Sequence, residues 1–360
     1  MVKSNRVHRR AALSTMATAA LLTGCPLSVP ETLPSLEAET SNDEPSVRTL
    51  VAETLEYERR TRGLSTMVNG AWQIFHGILA YGNEFEIDTP DGRVAAVEYF
   101  ASGGTCDGFR PQPGNRFGER IGLRVELQPL SKVGQGHRDQ WLAVVAQAGV
   151  LVDDEWSVDG RTYRISDWLR QAEYDVPLNF EEEFSWTLIP LAMYRPSDHR
   201  WTARDGLTYS TDLLLESEVQ RDLAASVCGG THRLIGIAYA LRKRISEGAT
   251  VNGPWAAARQ HLETAIEMAR TNQNPDGSYS TSYLHRTGWC QDLGELLGTT
   301  GHVLEFLSVA ADLETLQSDW VERTVRKLCS VLEQCRGIDL ECGVLYHALH
   351  GLVEYQRRIA

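Results

Sequence analysis

Five histidines recur in one kind of setting: His76 in WQIFHGIL, His137 in GHRDQWL, His232 in GGTHRL, His302 in TTGHVLEFL and His347 in LYHALHGL. Each stands at or near the start of an apolar run with helical spacing. Imidazole titrates near neutrality, so it can move a proton, hold an anion or ligate a metal. At a helix N-terminus the free amides and the positive dipole end disfavour imidazolium, which leaves the neutral ring a general base requires. Such a set could therefore abstract a proton, with His232 or His137 as base and a tyrosine as acid. Tyr239, seven residues after His232, shares its helix face, and Tyr346 is a second candidate. Asp139, Arg233, His76, His302, Tyr346 and His347 complete the candidate ligand-binding group. The same histidines can instead lock neighbouring helix starts together as polar fasteners.

The stretch CGGTHRL carries the most concentrated version of this pattern. Thr231 reads as an N-cap, and Gly229-Gly230 allows a turn and close packing. No Gly-Lys-Ser/Thr follows, which excludes a phosphate-binding P-loop. Cys228 lacks the Gly-Glu-Gln of a thioester site.

The elements that must position these residues come in two textures. Amphipathic helices with charged faces are expected over 46–61, 163–176, 210–226, 255–271 and 317–335; Val321, Val325, Leu328 and Leu332 mark the apolar stripe of the last. Apolar, small-residue helices are expected over 69–81, 137–149, 181–195, 231–246, 301–312 and 342–357. These read as six inner helices covered by five outer ones. The loops repeat as well: WSVDGRTYRISDWL and WTARDGLTYSTDLLL each place a tryptophan, an Asp-Gly turn and a tyrosine before an amphipathic helix, and NPDGSYS is a shortened relative. Asp159, Asp205 and Asp276 are thus read as turn residues, with Ser166 or Ser210 capping the helix that follows. Residues 83–135 break the pattern with short strands around the glycine-rich ASGGTCDGFRPQPGNRFGER, read as a loose excursion carrying Arg110, Arg116 and Arg120.

The chain opens with MVKSNRVHRR, four cations and no acid, followed by the apolar AALSTMATAALLTGC. That is the pattern of a secretory signal. Leu22-Thr23-Gly24-Cys25 resembles a bacterial lipobox, with Cys25 as the lipidated residue, and Arg9-Arg10 carries a hint of twin-arginine export. The expected organisation is a lipoprotein signal peptide over 1–24, a disordered Pro/Ser/acid tether over 25–45 and one domain over 46–360. The formal charge of −13 argues against nucleic acid as a partner. Six cysteines follow Cys25. In an oxidising compartment, Cys335 with Cys342 and Cys228 with Cys290 are candidate disulfides, whereas Cys329 reads as a buried thiol. No Cys-x-x-Cys pair is present, and no metal or cofactor is expected.

The alternation of helices, the NPDGSYS loop and ECGVLYHALHGL together resemble the α/α-toroid class of terpenoid cyclases and protein prenyltransferase β subunits, over residues 46–360. The resemblance implies an all-α, (α/α)6-like toroid with a small β excursion near 83–135. It also implies that the inner helices run parallel and bring their N-terminal histidines to one cavity mouth. In the prenyltransferases a similar Tyr-His segment supplies a zinc ligand, which would be His347 here. The Asp and Cys that complete that set do not precede it, WCQD offers Cys290 and Asp292 in reverse order, and the Asp-x-Asp-Asp motif of squalene-type cyclases is absent. The chain is also similar to exported bacterial proteins, some named as ADP-ribosylation-factor-directed GTPase activators; the cysteines of that zinc module are missing here. The expected function is an exported, lipid-anchored cell-envelope protein, on the periplasmic face or outer membrane, that holds a glycan, peptide or lipid-like ligand without catalysis. A polysaccharide lyase or hydrolase using His/Tyr acid–base chemistry is the alternative, and a prenyltransferase-like zinc enzyme ranks third.

Overall fold

The computed structural model describes residues 45–360; the leader, Cys25 and the tether lie outside them. Among the described residues the fold is helical, with small two-stranded sheets. The helices are α1 (Val47–Thr61), α2 (Ala71–Tyr81), α3 (Ala96–Ala101), α4 (Gln140–Gln147), α5 (Ile165–Asp175), α6 (Ser185–Tyr194) and α7 (Thr211–Val219). They continue with α8 (Thr231–Ser246), α9 (Pro254–Asn272), α10 (Leu293–Ala310), α11 (Leu313–Leu316), α12 (Asp319–Gln334) and α13 (Cys342–Ile359). No helix among them is long and apolar enough to cross a membrane.

Six of these helices pack in a cyclic order. α2 packs on α4, α4 on α6, α6 on α8, α8 on α10, α10 on α13, and α13 returns to α2. They are the apolar, small-residue helices of the sequence. A helix flanked by neighbours and covered from outside has no face left for charge, and α10 is buried continuously from Leu296 to Val309. The covering helices keep one apolar stripe each: Val321, Val325, Leu328 and Leu332 of α12 are all fully buried, and α12 packs on α10 and α1. Close approach in the ring rests on glycine. A Cβ on Gly301 would lie 2.7 Å from Ala348 Cα across the α10–α13 contact, and one on Gly236 2.8 Å from Ser185 Cα across α8–α6.

The repeated loop motif is a hairpin that precedes a helix. Strands β1 (Glu86–Thr89) and β2 (Gly92–Ala95) lead into α3, β5 (Glu155–Val158) and β6 (Arg161–Arg164) into α5, and β7 (Arg200–Thr202) and β8 (Thr208–Ser210) into α7. The motif's tryptophan and tyrosine are cross-strand partners, Trp156 opposite Tyr163 and Trp201 opposite Tyr209. Asp159 (φ 49°) and Gly160 (φ 73°) are both left-handed, as the tight turn requires. Ser210 caps α7 through the Leu213 amide, whereas α5 is capped by Asp167, which accepts from the Arg164 amide at 2.8 Å, and not by Ser166.

Two local expectations are corrected. The glycine-rich segment is no loose excursion: β3 (Pro111–Phe117) pairs with β4 (Arg120–Val125). This hairpin is bolted to α5 by Arg120–Asp167, by Arg124–Asp175 at 2.7 Å and by the Asn115 amide on Gln171 Oε1 at 2.6 Å. α10 begins at Leu293, eight residues before the expected start, because Asp292 caps it by accepting from the Glu295 amide at 2.9 Å.

Candidate functional site

The cyclic order brings the five histidines together. His302 and His347 have ring centroids 4.2 Å apart. His347 lies 5.3 Å from both His76 and His232, while His232 lies 5.4 Å from His302 and 5.8 Å from His137. All five line a cavity of about 500 Å³, with Trp72, Tyr283 and Cys228. Where Leu79, Ile189 and Ile235 meet His232 and His347 only about 10 Å³ remains, so apolar side chains close the cavity on that side.

Hydrogen bonds orient four of the rings identically. His76 Nδ1 is 2.6 Å from the Trp72 carbonyl and His302 Nδ1 2.7 Å from the Gly298 carbonyl, both one turn back on their own helices. A carbonyl only accepts, so Nδ1 carries the proton and Nε2 is left with its lone pair. His347 Nδ1 meets Glu305 at 2.8 Å and His137 Nδ1 meets Glu183 at 2.9 Å. His232 differs: it is buried and neither ring nitrogen has a hydrogen-bond partner among the described residues.

Burial disfavours the charged form of three of these rings. Burial and the neighbouring His347 push His76 down to about 3. Burial also holds His232 well below its ordinary value and lowers His302. Burial alone would raise the Glu183 carboxyl, but the His137 hydrogen bond and charge outweigh it and hold it at about 2. Glu305 is likewise held low against its burial by His347 and His350, whose Nδ1 atoms approach its two oxygens at 2.8 and 2.6 Å. The rim is acidic. Glu182, Glu295 and Glu341 face one cation, Lys132, which lies 3.9 Å from Glu341.

Four candidate residues are not brought to the cavity. Arg233 is buried on Glu218 at 2.7 Å, with Ser226 Oγ and the Glu182 carbonyl as its other acceptors. Asp139 is buried and accepts from Thr187 Oγ1 at 2.7 Å and Asn179 Nδ2 at 3.2 Å; a left-handed backbone (φ 65°) turns it from α4. Tyr239 shares the helix face of His232, but two turns are about 10 Å of helix, and it is half-buried near Arg242 and Glu354 and does not line the cavity. Tyr346 donates to the Arg62 carbonyl at 3.3 Å on the outer side of α13.

The cysteines are all free thiols among the described residues. Neither expected bridge is present among them. Cys228 lies against the Tyr283 hydroxyl, Cys290 against the Asp292 carbonyl, and Cys342 against Glu341, while Cys335 is buried at the end of α12. Thr231 does not cap α8; its hydroxyl donates to the Cys228 carbonyl at 2.9 Å. The turn before it is left-handed at Cys228, Gly229 and Gly230, and a Cβ at Gly229 would sit 2.6 Å from Tyr283 Cβ.

Sequence reasoning missed Trp72, Glu183, Tyr283 and Glu305. Glu305 had a signal, three residues after His302 on one helix face. Tyr283 had none, since it reaches the cavity only because the 274–292 loop folds over Gly229.

The prenyltransferase ligand set is not assembled. His347 lines the cavity, but Cys290 and Asp292 do not: one thiol faces a backbone carbonyl and the other side chain caps α10. No protein-family model matches the chain, and no match is found among curated proteins or solved structures.

Proposed function

We propose that this chain is an exported cell-envelope protein, anchored by a lipid on Cys25, whose residues 46–360 form an α/α-toroid that binds a neutral glycan in its histidine-lined cavity without transforming it. The leader, the lipobox resemblance and the acidic tether support the first part. The cyclic order α2–α4–α6–α8–α10–α13 and the layer around it support the toroid. The observation that carries the binding reading is the convergence of five imidazoles from separate segments on one cavity of about 500 Å³, beside Trp72 and Tyr283. Aromatic faces and oriented Nε2 acceptors suit sugar rings and hydroxyls. The acidic rim, with Arg233 spent on Glu218, repels polyanions and argues against acidic polysaccharides.

A hydrolase or lyase is the second reading, favoured by one feature: His137 is held by a buried carboxylate, as the base of an acid–base pair would be. Its acid would be Tyr283 in place of Tyr239 or Tyr346.

The test is a thermal-shift screen of the mature chain against neutral and acidic oligosaccharides, with chromatography of the same mixtures. A neutral oligosaccharide should raise Tm by mass action, and Trp72→Ala should remove the effect. Stabilisation by acidic oligosaccharides alone refutes the binding reading, and cleavage products replace it with the second. For the anchor, Cys25→Ala or globomycin should block processing and release the protein from membranes; unchanged processing and fractionation refute lipidation.

A further inference from the structure

The imidazole of His232, buried with neither ring nitrogen hydrogen-bonded among the described residues, stands beside two further ligand atoms. Around it lie Cys228 Sγ and a nitrogen of His302, the three ligand atoms falling within 4.8 Å of one another. We infer that Cys228, His232 and His302 form a binding site for a soft divalent cation of the zinc class, with its fourth position open to the cavity.

Each residue is presented as a ligand. His302 has its Nδ1 proton on the Gly298 carbonyl, the arrangement that fixes a metal-ligating imidazole with Nε2 outward. His232 is buried, and both its nitrogens are without partners among the described residues. Cys228 sits four residues before His232, where the left-handed turn ahead of α8 brings the thiol back over the first helical turn. The Tyr283 hydroxyl beside this sulfur can donate to a bound thiolate. One thiolate and two imidazoles select zinc-like ions over magnesium or calcium. Tetrahedral bonds of about 2.0 Å to nitrogen and 2.3 Å to sulfur need the donors closer than they now stand, by about 1 Å, within reach of side-chain rotation. Three protein ligands and one open position define the catalytic type of zinc site rather than the closed structural type. The open position faces the cavity that Cys228, His232 and His302 all line.

A second triad shares His232: His137, Glu183 and His232 also lie within 4.8 Å. Glu183 is already committed, to His137 at 2.9 Å and to Trp186 Nε1 at 2.7 Å, so the first triad has the freer ligand atoms. The inference stands independently of what else fills the cavity.

The test uses the mature chain stripped with chelator and titrated with Co²⁺ by absorption and Zn²⁺ by calorimetry. One equivalent should bind, with intense tetrahedral ligand-field bands and a thiolate-to-cobalt charge-transfer band. Cys228→Ser should abolish the charge-transfer band, and His302→Gln should weaken zinc at least tenfold. Glu183→Gln should leave the charge-transfer band in place. Far-UV circular dichroism of the stripped variants checks folding; if Cys228→Ser does not fold, Cys228→Ala takes its place. No stoichiometric uptake overturns the inference, as does uptake that survives Cys228→Ser unchanged. Neither result bears on the glycan screen, which is read on chelated protein.

Discussion

The buried imidazole of His76 makes a quantitative claim about acid stability. In the unfolded chain it titrates near 6.5, and in the fold burial and His347 push it down to about 3. Between those values the unfolded state binds a proton that the native state refuses, so stability is fully present above pH 6.5 and is lost as pH falls toward 3. From 6.5 to 5 is one and a half pK units, or about 2 kcal/mol at roughly 1.4 kcal/mol per unit. His232 and His302 are lowered in the same direction, so the wild type should lose stability more steeply than one proton permits. The perturbation is His76→Gln, whose side-chain amide can still reach the Trp72 carbonyl. Urea unfolding of both proteins in chelator, at pH 8 and pH 5, gives two differences in unfolding free energy. The variant's fall should be smaller than the wild type's by about 2 kcal/mol. Parallel curves would mean that His76 charges freely in the native state, and the account of His76 as an imidazole held uncharged by burial would be refuted.

Other expectations follow from the same packing. His350 has the opposite sign: bonded to Glu305, it is raised above its ordinary value, so its contribution is full below pH 6.5 and disappears as pH rises through the raised value; His350→Gln should selectively lower stability at pH 6 relative to pH 9 in urea titrations. Arg233→Leu strands Glu218 and should cost about 3–5 kcal/mol of unfolding free energy; a loss below 1 kcal/mol would show that the pair is not desolvated. Gly301→Val, driven into Ala348, should destabilise by about 1–3 kcal/mol or more, and an unchanged urea midpoint would refute the close α10–α13 contact. Asp139→Asn should lower Tm without changing glycan affinity; a lost glycan effect at unchanged Tm would return Asp139 to the binding site.

What the sequence determined by itself is which helices are apolar on every face and which keep a polar one, though not the β3–β4 hairpin or the start of α10. Helical texture is local: the stripe Val321, Val325, Leu328 and Leu332 and the small-residue run of α10 state which helix has a polar face and which has none. The turn chemistry of Asp159-Gly160 is local too, whereas the helix-start reading holds for His232 and His137 and fails for His302, which lies in the middle of α10. Tertiary structure decided which of these residues face one another. Arg233 and His232 are adjacent in sequence, yet successive side chains on a helix point about 100° apart, so one meets Glu218 and the other the cavity. Tyr239 follows the periodicity of His232 but lies two turns deeper, a distance no helix-face argument removes. Cys228 and His302 stand 74 residues apart, and only the packing of α8 on α10 places a thiol and an imidazole around the same ring. Long-range pairing of this kind depends on how helices close around a common interior, which no short window of sequence contains.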